Sequence, residues 1–274
     1  MFNQLEILSD EQSEKLYTIR SYFKSLDSAC IAYSGGVDST LVASLAFEQL
    51  GSKAIAITGI SPALANTLRE EARSQAKWIG VKHLEIKTSE LEQSSYSKNP
   101  MDRCFACKKE LHKHTTYLSK KLNYKIVLDG VNLDDLKDYR PGIQASKQAG
   151  VVSPLAKFKF SKQDIRDISK ALGFPWWDKP AQPCLSSRFP YGHEITSERL
   201  KMVEKAEEYL KEGGLSEVRV RCQGSTARIE IPQHELKNFF NKYNFSELVQ
   251  YFSNLGFNCT SLDLEGLISG KLNR

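Results

Sequence analysis

Residues 30–44 read CIAYSGGVDSTLVAS, and few local architectures accommodate an apolar run, paired glycines, small hydroxyl residues and a second apolar run in that order. Ile31 to Tyr33 have the character of a strand end, Gly35 and Gly36 permit a tight turn, and Ser39 and Thr40 stand where a helix over Leu41 to Leu50 would be capped. Backbone N–H groups at a helix N-terminus carry partial positive charge, and glycines without side chains let an anion approach them. The segment is therefore expected to cradle a polyphosphate. It lacks the lysine of a GxxxxGK[ST] loop, which disfavours a Walker-type reaction at a γ-phosphate.

The rest of the chain supplies a matching scaffold. Ser9 and Gln12 have capping-box spacing ahead of Leu16, Ile19, Phe23 and Leu26, which recur at helical intervals. After the loop come an expected strand at 53–60, helix at 63–78, short strand at 83–87, helix at 108–122 and strand at 124–128. This alternation predicts an α/β fold with a doubly wound parallel sheet and its ligand crevice at the carboxyl ends of the strands. The polar run Asp129 to Asp135 leaves a strand at that same edge, with an acidic loop capping the next helix as the plainer reading. Beyond Pro154 the pattern changes to a helix at 162–172, an irregular stretch at 174–192 and a helix at 197–211. Strands at 218–221 and 227–231 follow, the first placing Arg219 and Arg221 on one face, and two short helices complete the pattern. With 274 residues, two domains are expected, a first over 1–170 and a smaller α/β domain over 171–274.

Thirty-eight Lys and Arg against 33 Asp and Glu leave a formal charge of +5, an excess that suits phosphate-bearing small molecules and falls short of a nucleic-acid footprint. No apolar stretch approaches the roughly 20 residues of a membrane helix, so a cytoplasmic location without membrane or nucleic-acid partners is expected. In a reducing compartment the six cysteines point to metal, cluster or catalytic roles ahead of disulfides. Cys104 and Cys107 form a CxxC, and Cys184 lies far along the chain in KPAQPCLSSRFPYG. A structural zinc needs four ligands, whereas three cysteines on a [4Fe–4S] cluster leave one iron with an open position. Competing readings are a dithiol pair, a lone nucleophilic Cys184, or a zinc site completed by His112 or His114. Cys30 reads as a core residue, and Cys222 and Cys259 have no partner spacing.

SGGVDST at 34–40 resembles the pyrophosphate loop (PP-loop) of N-type ATP pyrophosphatases, against which an ordinary serine-glycine turn is the poorer reading in this strand-to-helix context. The resemblance implies ATP bound by Ser34, Gly35, Gly36, Asp38, Ser39 and Thr40, with Asp38 on the magnesium side. Together with DGVNLDDLKDYRPG at 129–142, GVVSPL at 150–155, CLSSRFPYGHEIT at 184–196 and VRVRCQGSTARIEI at 218–231, the loop looks like that of the LarE sulfur transferases. Val131 stands where that family's GTNxDD-like turn usually has threonine.

That resemblance implies adenylylation of pyridinium-3,5-biscarboxylic acid mononucleotide and replacement of carboxylate oxygen by sulfur during nickel-pincer nucleotide biosynthesis. One branch of the family sacrifices a cysteine at the position of Cys184; another holds a cluster on three cysteines, the pattern of Cys104, Cys107 and Cys184. Arg188 beside Cys184, with Arg219 and Arg221, matches phosphate chemistry and is expected to hold the substrate's phosphate. Glu208 and Glu230 are possible ligands of a further cation, with exposed salt bridging as the default. The catalytic set is then Asp38, Cys184 and Arg188, in a homo-oligomer in transient contact with other proteins of the same cofactor's biosynthesis. Rival readings are a transfer-RNA thiolase, an amide-forming synthetase of the NAD or GMP type, and a non-catalytic nucleotide or cluster carrier.

Overall fold

The computed structural model describes residues 2, 4–137, 140–268, 270 and 271; Asp138 and Tyr139 of the 129–142 run lie outside them. The chain divides into two compact units, Met1–Glu90 with Asp102–Gln182, and Leu91–Met101 with Pro183–Arg274. The first thus continues past the expected boundary at 170, and residues 91–101 join the second. The reason is a set of hydrogen bonds distant in sequence. Asn99 Nδ2 donates to the carbonyls of Phe189 (3.2 Å) and Pro190 (2.7 Å), and the N–H groups of Gly192 and Ile195 donate to the carbonyls of Asn99 and Ser97.

The first unit begins with α1 (Asp10–Lys24), capped by Ser9 and Gln12 in a reciprocal capping box. It continues through β1 (Ala29–Ala32), α2 (Val37–Leu50), β2 (Ala54–Ile60), α3 (Asn66–Ile79) and β3 (Lys82–Lys87). After α4 (Ser94–Ser97), which belongs to the second unit, come α5 (Arg103–Lys121), β4 (Ile126–Leu128), α6 (Pro141–Gln148), α7 (Pro154–Lys157) and α8 (Lys162–Ala171). The four strands are parallel in the order β3-β2-β1-β4, with a parallel bridge from Leu128 to Val152 beyond them. Side chains alternate along the strands. Ala29, Ile31, Ala54 and Ala56 share a core with α1, α2, α3 and α8, while Cys30, Ile55, Ile57 and Val127 pack with Leu118 of α5. Both faces are covered, which is why β1 is apolar throughout and fully buried.

This sheet is the expected doubly wound α/β architecture. Its order reverses between β1 and β4, so the loops leaving those strands, 33–36 and 129–133, emerge side by side at the carboxyl edge. The second unit holds α9 (Ser197–Glu212), β5 (Arg219–Gln223), β6 (Thr226–Glu230), α10 (Leu236–Lys242), α11 (Phe245–Leu255) and β7 (Cys259–Leu262). β5 and β6 form an antiparallel hairpin around Gly224-Ser225, and β7 adds to β6 in parallel. Leu200, Val203, Ala206 and Leu210 bury one face of α9. Neither β7 nor α6 is expected from the sequence pattern: β7 is four residues with no fully buried position, and α6 is eight residues whose start is set by Pro141.

Candidate active site

Helix α2 begins at Val37 with Gly36 as N-cap, earlier than the expected Leu41, so Ser39 and Thr40 lie inside its first turn and do not cap it. Ser39 Oγ donates to the Gly36 carbonyl (3.1 Å), accepts the Ser34 N–H (3.2 Å) and meets Ser34 Oγ at 3.1 Å. The two serines therefore tie the loop to the helix it feeds. Thr40 takes a different role. It is fully buried, its N–H donates to the Gly36 carbonyl, and its hydroxyl donates to Gln75 Oε1 at 3.1 Å. Its hydroxyl thus ties the first turn of α2 to α3.

The two loop glycines also differ. Gly35 has φ +74°, and a Cβ there would stand 3.0 Å from the Ala72 Cα. Gly36 is extended at φ −73°, and a Cβ there would meet only Ser34 Oγ at 3.4 Å. Gly130, on the loop leaving β4, approaches closer still: a Cβ would lie 2.7 Å from the Ser39 nitrogen. The two loops are thus packed backbone to backbone.

Asp38 sits where they meet. Asn132 Nδ2 donates to its Oδ1 at 3.4 Å, and Lys162 Nζ, from the first turn of α8, lies 3.9 Å from its Oδ2. Asp135, itself paired with Arg140 at 2.9 Å, adds like charge nearby. Burial, and then Asp135, raise the Asp38 carboxyl pKa above its ordinary value against the opposing pull of Lys162, Asn132 and Arg140. A carboxylate reluctant to ionise alone is stabilised when a cation arrives. Asn132 and Asp135 belong to the polar run expected at this edge, whereas nothing in the sequence pattern marks Lys162. It sits 124 positions from Asp38 in an ordinary capped helix start.

Cys104 and Cys107 lie inside α5, which starts at Arg103 and not at Lys108. At i and i+3 they share one helix face; Cys104 is exposed and Cys107 half-buried. Each histidine considered for zinc has its Nε2 engaged. His112 is fully buried with Nε2 at 2.8 Å from Ser146 Oγ, its pKa pushed down to about 4 chiefly by burial, and His114 pairs with Glu110 at 2.8 Å. Among the described residues no group of three or more His, Cys, Asp or Glu side chains is arranged to hold a metal ion.

In the second unit Cys184 is a half-buried free thiol at the N-cap of a 3-10 turn over Leu185–Arg188. The three expected phosphate arginines gather there, with unequal freedom. Arg188 pairs with Glu207 through two hydrogen bonds (2.8 and 3.0 Å), and Arg221 pairs with Glu230 at 2.7 Å. Both pairs are buried. The side chain of Arg219, half-buried, has no hydrogen-bond or ion-pair partner among the described residues; burial, then the charges of Arg188 and Arg221, lower its pKa. An unpaired, partly desolvated guanidinium beside two paired ones is the group that gains most from an anion. Glu230 is fully enclosed by Arg221 and Arg228, which satisfies its charge without a further cation. Glu208, on α9, has its pKa raised by burial and by Glu204 and Glu212.

No helix in the described residues is long and apolar enough to cross a membrane. No protein-family model matches the chain. An uncharacterized protein of Synechocystis sp. is 54% identical over 260 residues, 95% of this chain and 97% of that one. An uncharacterized protein of Methanocaldococcus jannaschii is 34% identical over 235 residues, 86% of this chain and 88% of its own. A third relative, the pyridinium-3,5-bisthiocarboxylic acid mononucleotide synthase of Lactiplantibacillus plantarum, is 33% identical over 261 residues, 94% of each chain. An identity of this extent, along nearly the whole of both sequences, makes the protein a member of the LarE family to which that synthase belongs.

Proposed function

We propose that the protein is an ATP-dependent sulfur transferase that adenylylates pyridinium-3,5-biscarboxylic acid mononucleotide and converts its carboxylates to thiocarboxylates, making the nickel-pincer nucleotide precursor. The observation that carries the reading is the carboxyl-edge cradle: Asp38 at the start of α2, between the SGGVDST loop and the Gly130 turn, faced by Lys162. The loop is read as a PP-loop. A substrate carboxylate oxygen attacks the α-phosphorus of ATP, the bond to the β-phosphate breaks, and pyrophosphate leaves. First-turn N–H groups of α2, the Ser34 and Ser39 hydroxyls and the Lys162 ammonium stabilise the charge that gathers on pyrophosphate. Asp38 would hold the magnesium ion that ATP brings. Arg219 takes the phosphate of the mononucleotide substrate.

The acyl adenylate then accepts sulfur at its carbonyl carbon, and AMP departs with the former carboxylate oxygen. Three cysteines, whose sulfurs are soft donors suited to iron, are the set that would ligate a [4Fe–4S] cluster: Cys104 and Cys107 from α5 and Cys184 from the second unit. Bound there, the cluster would supply sulfide at the iron lacking a cysteine. The sacrificial alternative has Cys184 attack as thiolate, after which its Cβ–S bond breaks by elimination and dehydroalanine remains.

Anaerobically purified protein given ATP, magnesium and the biscarboxylic nucleotide tests the reading. Expected are AMP, pyrophosphate and a thiocarboxylate product, with about four irons per chain and loss of iron and thiolation together in each of Cys104→Ala, Cys107→Ala and Cys184→Ala. Dehydroalanine at position 184 after one turnover, with Cys104→Ala and Cys107→Ala fully active, would select the sacrificial chemistry. Thiolation of transfer RNA, amide formation, or absence of substrate-dependent pyrophosphate would discard both in favour of the rival functions.

A further inference from the structure

Two buried arginine–glutamate pairs lie in the second unit, and one of them reaches the backbone of Cys184. Arg188 is 8% exposed. Its Nε and Nη2 donate to the two carboxylate oxygens of Glu207, whose Oε1 also accepts the Val220 N–H at 2.9 Å. The remaining nitrogen turns back on its own segment. Nη1 donates to the Pro183 carbonyl (2.9 Å), the Cys184 carbonyl (3.3 Å) and the Ser187 hydroxyl (2.9 Å). The segment is held from two further sides: Arg221 Nη1 donates to the Ser187 carbonyl at 2.7 Å, and Tyr96 OH meets Ser186 Oγ at 2.6 Å.

Buried ion pairs add little net stability, because desolvating two charges offsets most of their attraction. What a bidentate guanidinium adds is direction, since its planar fork fixes where the remaining donors point. In Arg188 those donors point at the residue before the cysteine and at the cysteine itself. A guanidinium so engaged has little left for a ligand, and its charge is already matched by Glu207.

We propose that Arg188, oriented by Glu207, is a positioning residue: it clamps the Cys184 backbone and so aims the sulfur centre, and it does not ligate the substrate phosphate. This deepens the function proposed above and rests on its assignment of Cys184 to the sulfur step. Arg219 is then the arginine that meets the phosphate.

Two variants test the clamp. Arg188→Lys keeps the charge but replaces the fork with a single ammonium that cannot serve Glu207 and both carbonyls at once. The double variant Arg188→Met/Glu207→Gln removes both charges and retains an acceptor for the Val220 N–H. Both are expected to fold, to keep the wild-type KM for the nucleotide substrate and the wild-type rate of pyrophosphate release, and to lose about 10- to 100-fold in kcat for thiolation. Amide hydrogen exchange over residues 184–188 should rise while that of α9 stays as in the wild type. A raised KM with kcat intact would make Arg188 a substrate ligand and overturn the clamp, as would unchanged exchange at 184–188. If Cys184→Ala thiolates normally, the failure lies in the assignment of Cys184, and the exchange data still decide whether Arg188 holds the segment.

Discussion

The glycine loop at 34–40 and the Cys184 segment at 183–188 are both short turns that lead into helical geometry, yet they are held by opposite means. In the first, the hydrogen bonds that shape the turn itself run over five positions or fewer: Ser34 to Ser39, Ser39 to Gly36, Gly36 to Ser34. In the second, Arg188 reaches Glu207 on α9, Arg221 reaches in from β5, and Tyr96 arrives from a segment 90 positions away. A cradle built of backbone and hydroxyls presents neutral donors and waits for charge from its ligand. A turn braced by buried guanidinium groups brings its own charge, already neutralised, and depends on distant residues to stay neutral. The difference predicts that removing a polar side chain of the first will act on chemistry with little effect on stability, and that cutting a buried ion pair of the second on one side will lower stability as well.

The largest effect is expected where the bracing is cut on one side. Arg221→Ala leaves Glu230, which is fully buried, with Arg228 alone, and should cost about 3–5 kcal/mol in urea unfolding; a loss under about 1 kcal/mol would place this pair with exposed ones. Next comes Asp38→Ala, for which substrate-dependent pyrophosphate release should fall on the order of 10²-fold or more while the unfolding midpoint holds. Wild-type release would remove the loop from the mechanism.

Gly35 and Gly36 sharpen the comparison within the loop itself. Gly35→Ala must carry φ +74° against the Ala72 backbone and should cost about 1–3 kcal/mol, whereas Gly36→Ala should cost less than about 1 kcal/mol. Equal costs at the two positions would mean that the packing of α3 on the loop does not matter.

Asp38 yields a pH signature of definite sign. Its pKa is raised, so between the ordinary 3.8 and the raised value the folded protein holds a proton that the unfolded chain has released. Stability therefore falls as pH rises through that window. In metal-free buffer Asp38→Asn should be more stable than the wild type at pH 7, and the advantage should vanish below the ordinary carboxyl range. A wild type at least as stable as this variant at pH 7 would falsify the assignment.

The smallest effect is expected at the exposed counterpart of the buried pairs. Glu85 accepts from Arg69 and Arg73, which hold its pKa down to about 2. Its contribution is present above the ordinary 4.5 and lost as pH falls toward 2. Because both arginines are solvent-screened, Glu85→Gln should cost only about 0.2–1 kcal/mol at neutral pH, measured beside Arg221→Ala under the same conditions.

Much of the first unit was legible because its signals are local. The Ser9–Gln12 capping box, the apolar run of β1 and the strand-helix alternation each span a few residues, and each appears close to its expected place. Where local reading missed, a tertiary contact had intervened. The CxxC lies inside α5 because that helix starts at Arg103, which is itself buried, and residues 91–101 belong with the second unit because Asn99 bonds to Phe189 and Pro190. The helix start at Val37 was missed because the N-cap is a glycine with no side-chain oxygen to announce it.

Sequence alone therefore determined the parts whose physics is short-range: a parallel α/β sheet, a glycine cradle at a helix N-terminus, three cysteines and three arginines as candidate chemistry. Only the tertiary structure decided which of those groups are free to act. Thr40 turns to Gln75, Lys162 arrives opposite Asp38, Arg188 and Arg221 are matched by Glu207 and Glu230, and Arg219 is left unmatched among the described residues. Charge interactions act through space, and their strength depends on burial and distance, neither of which is written in the order of residues along the chain.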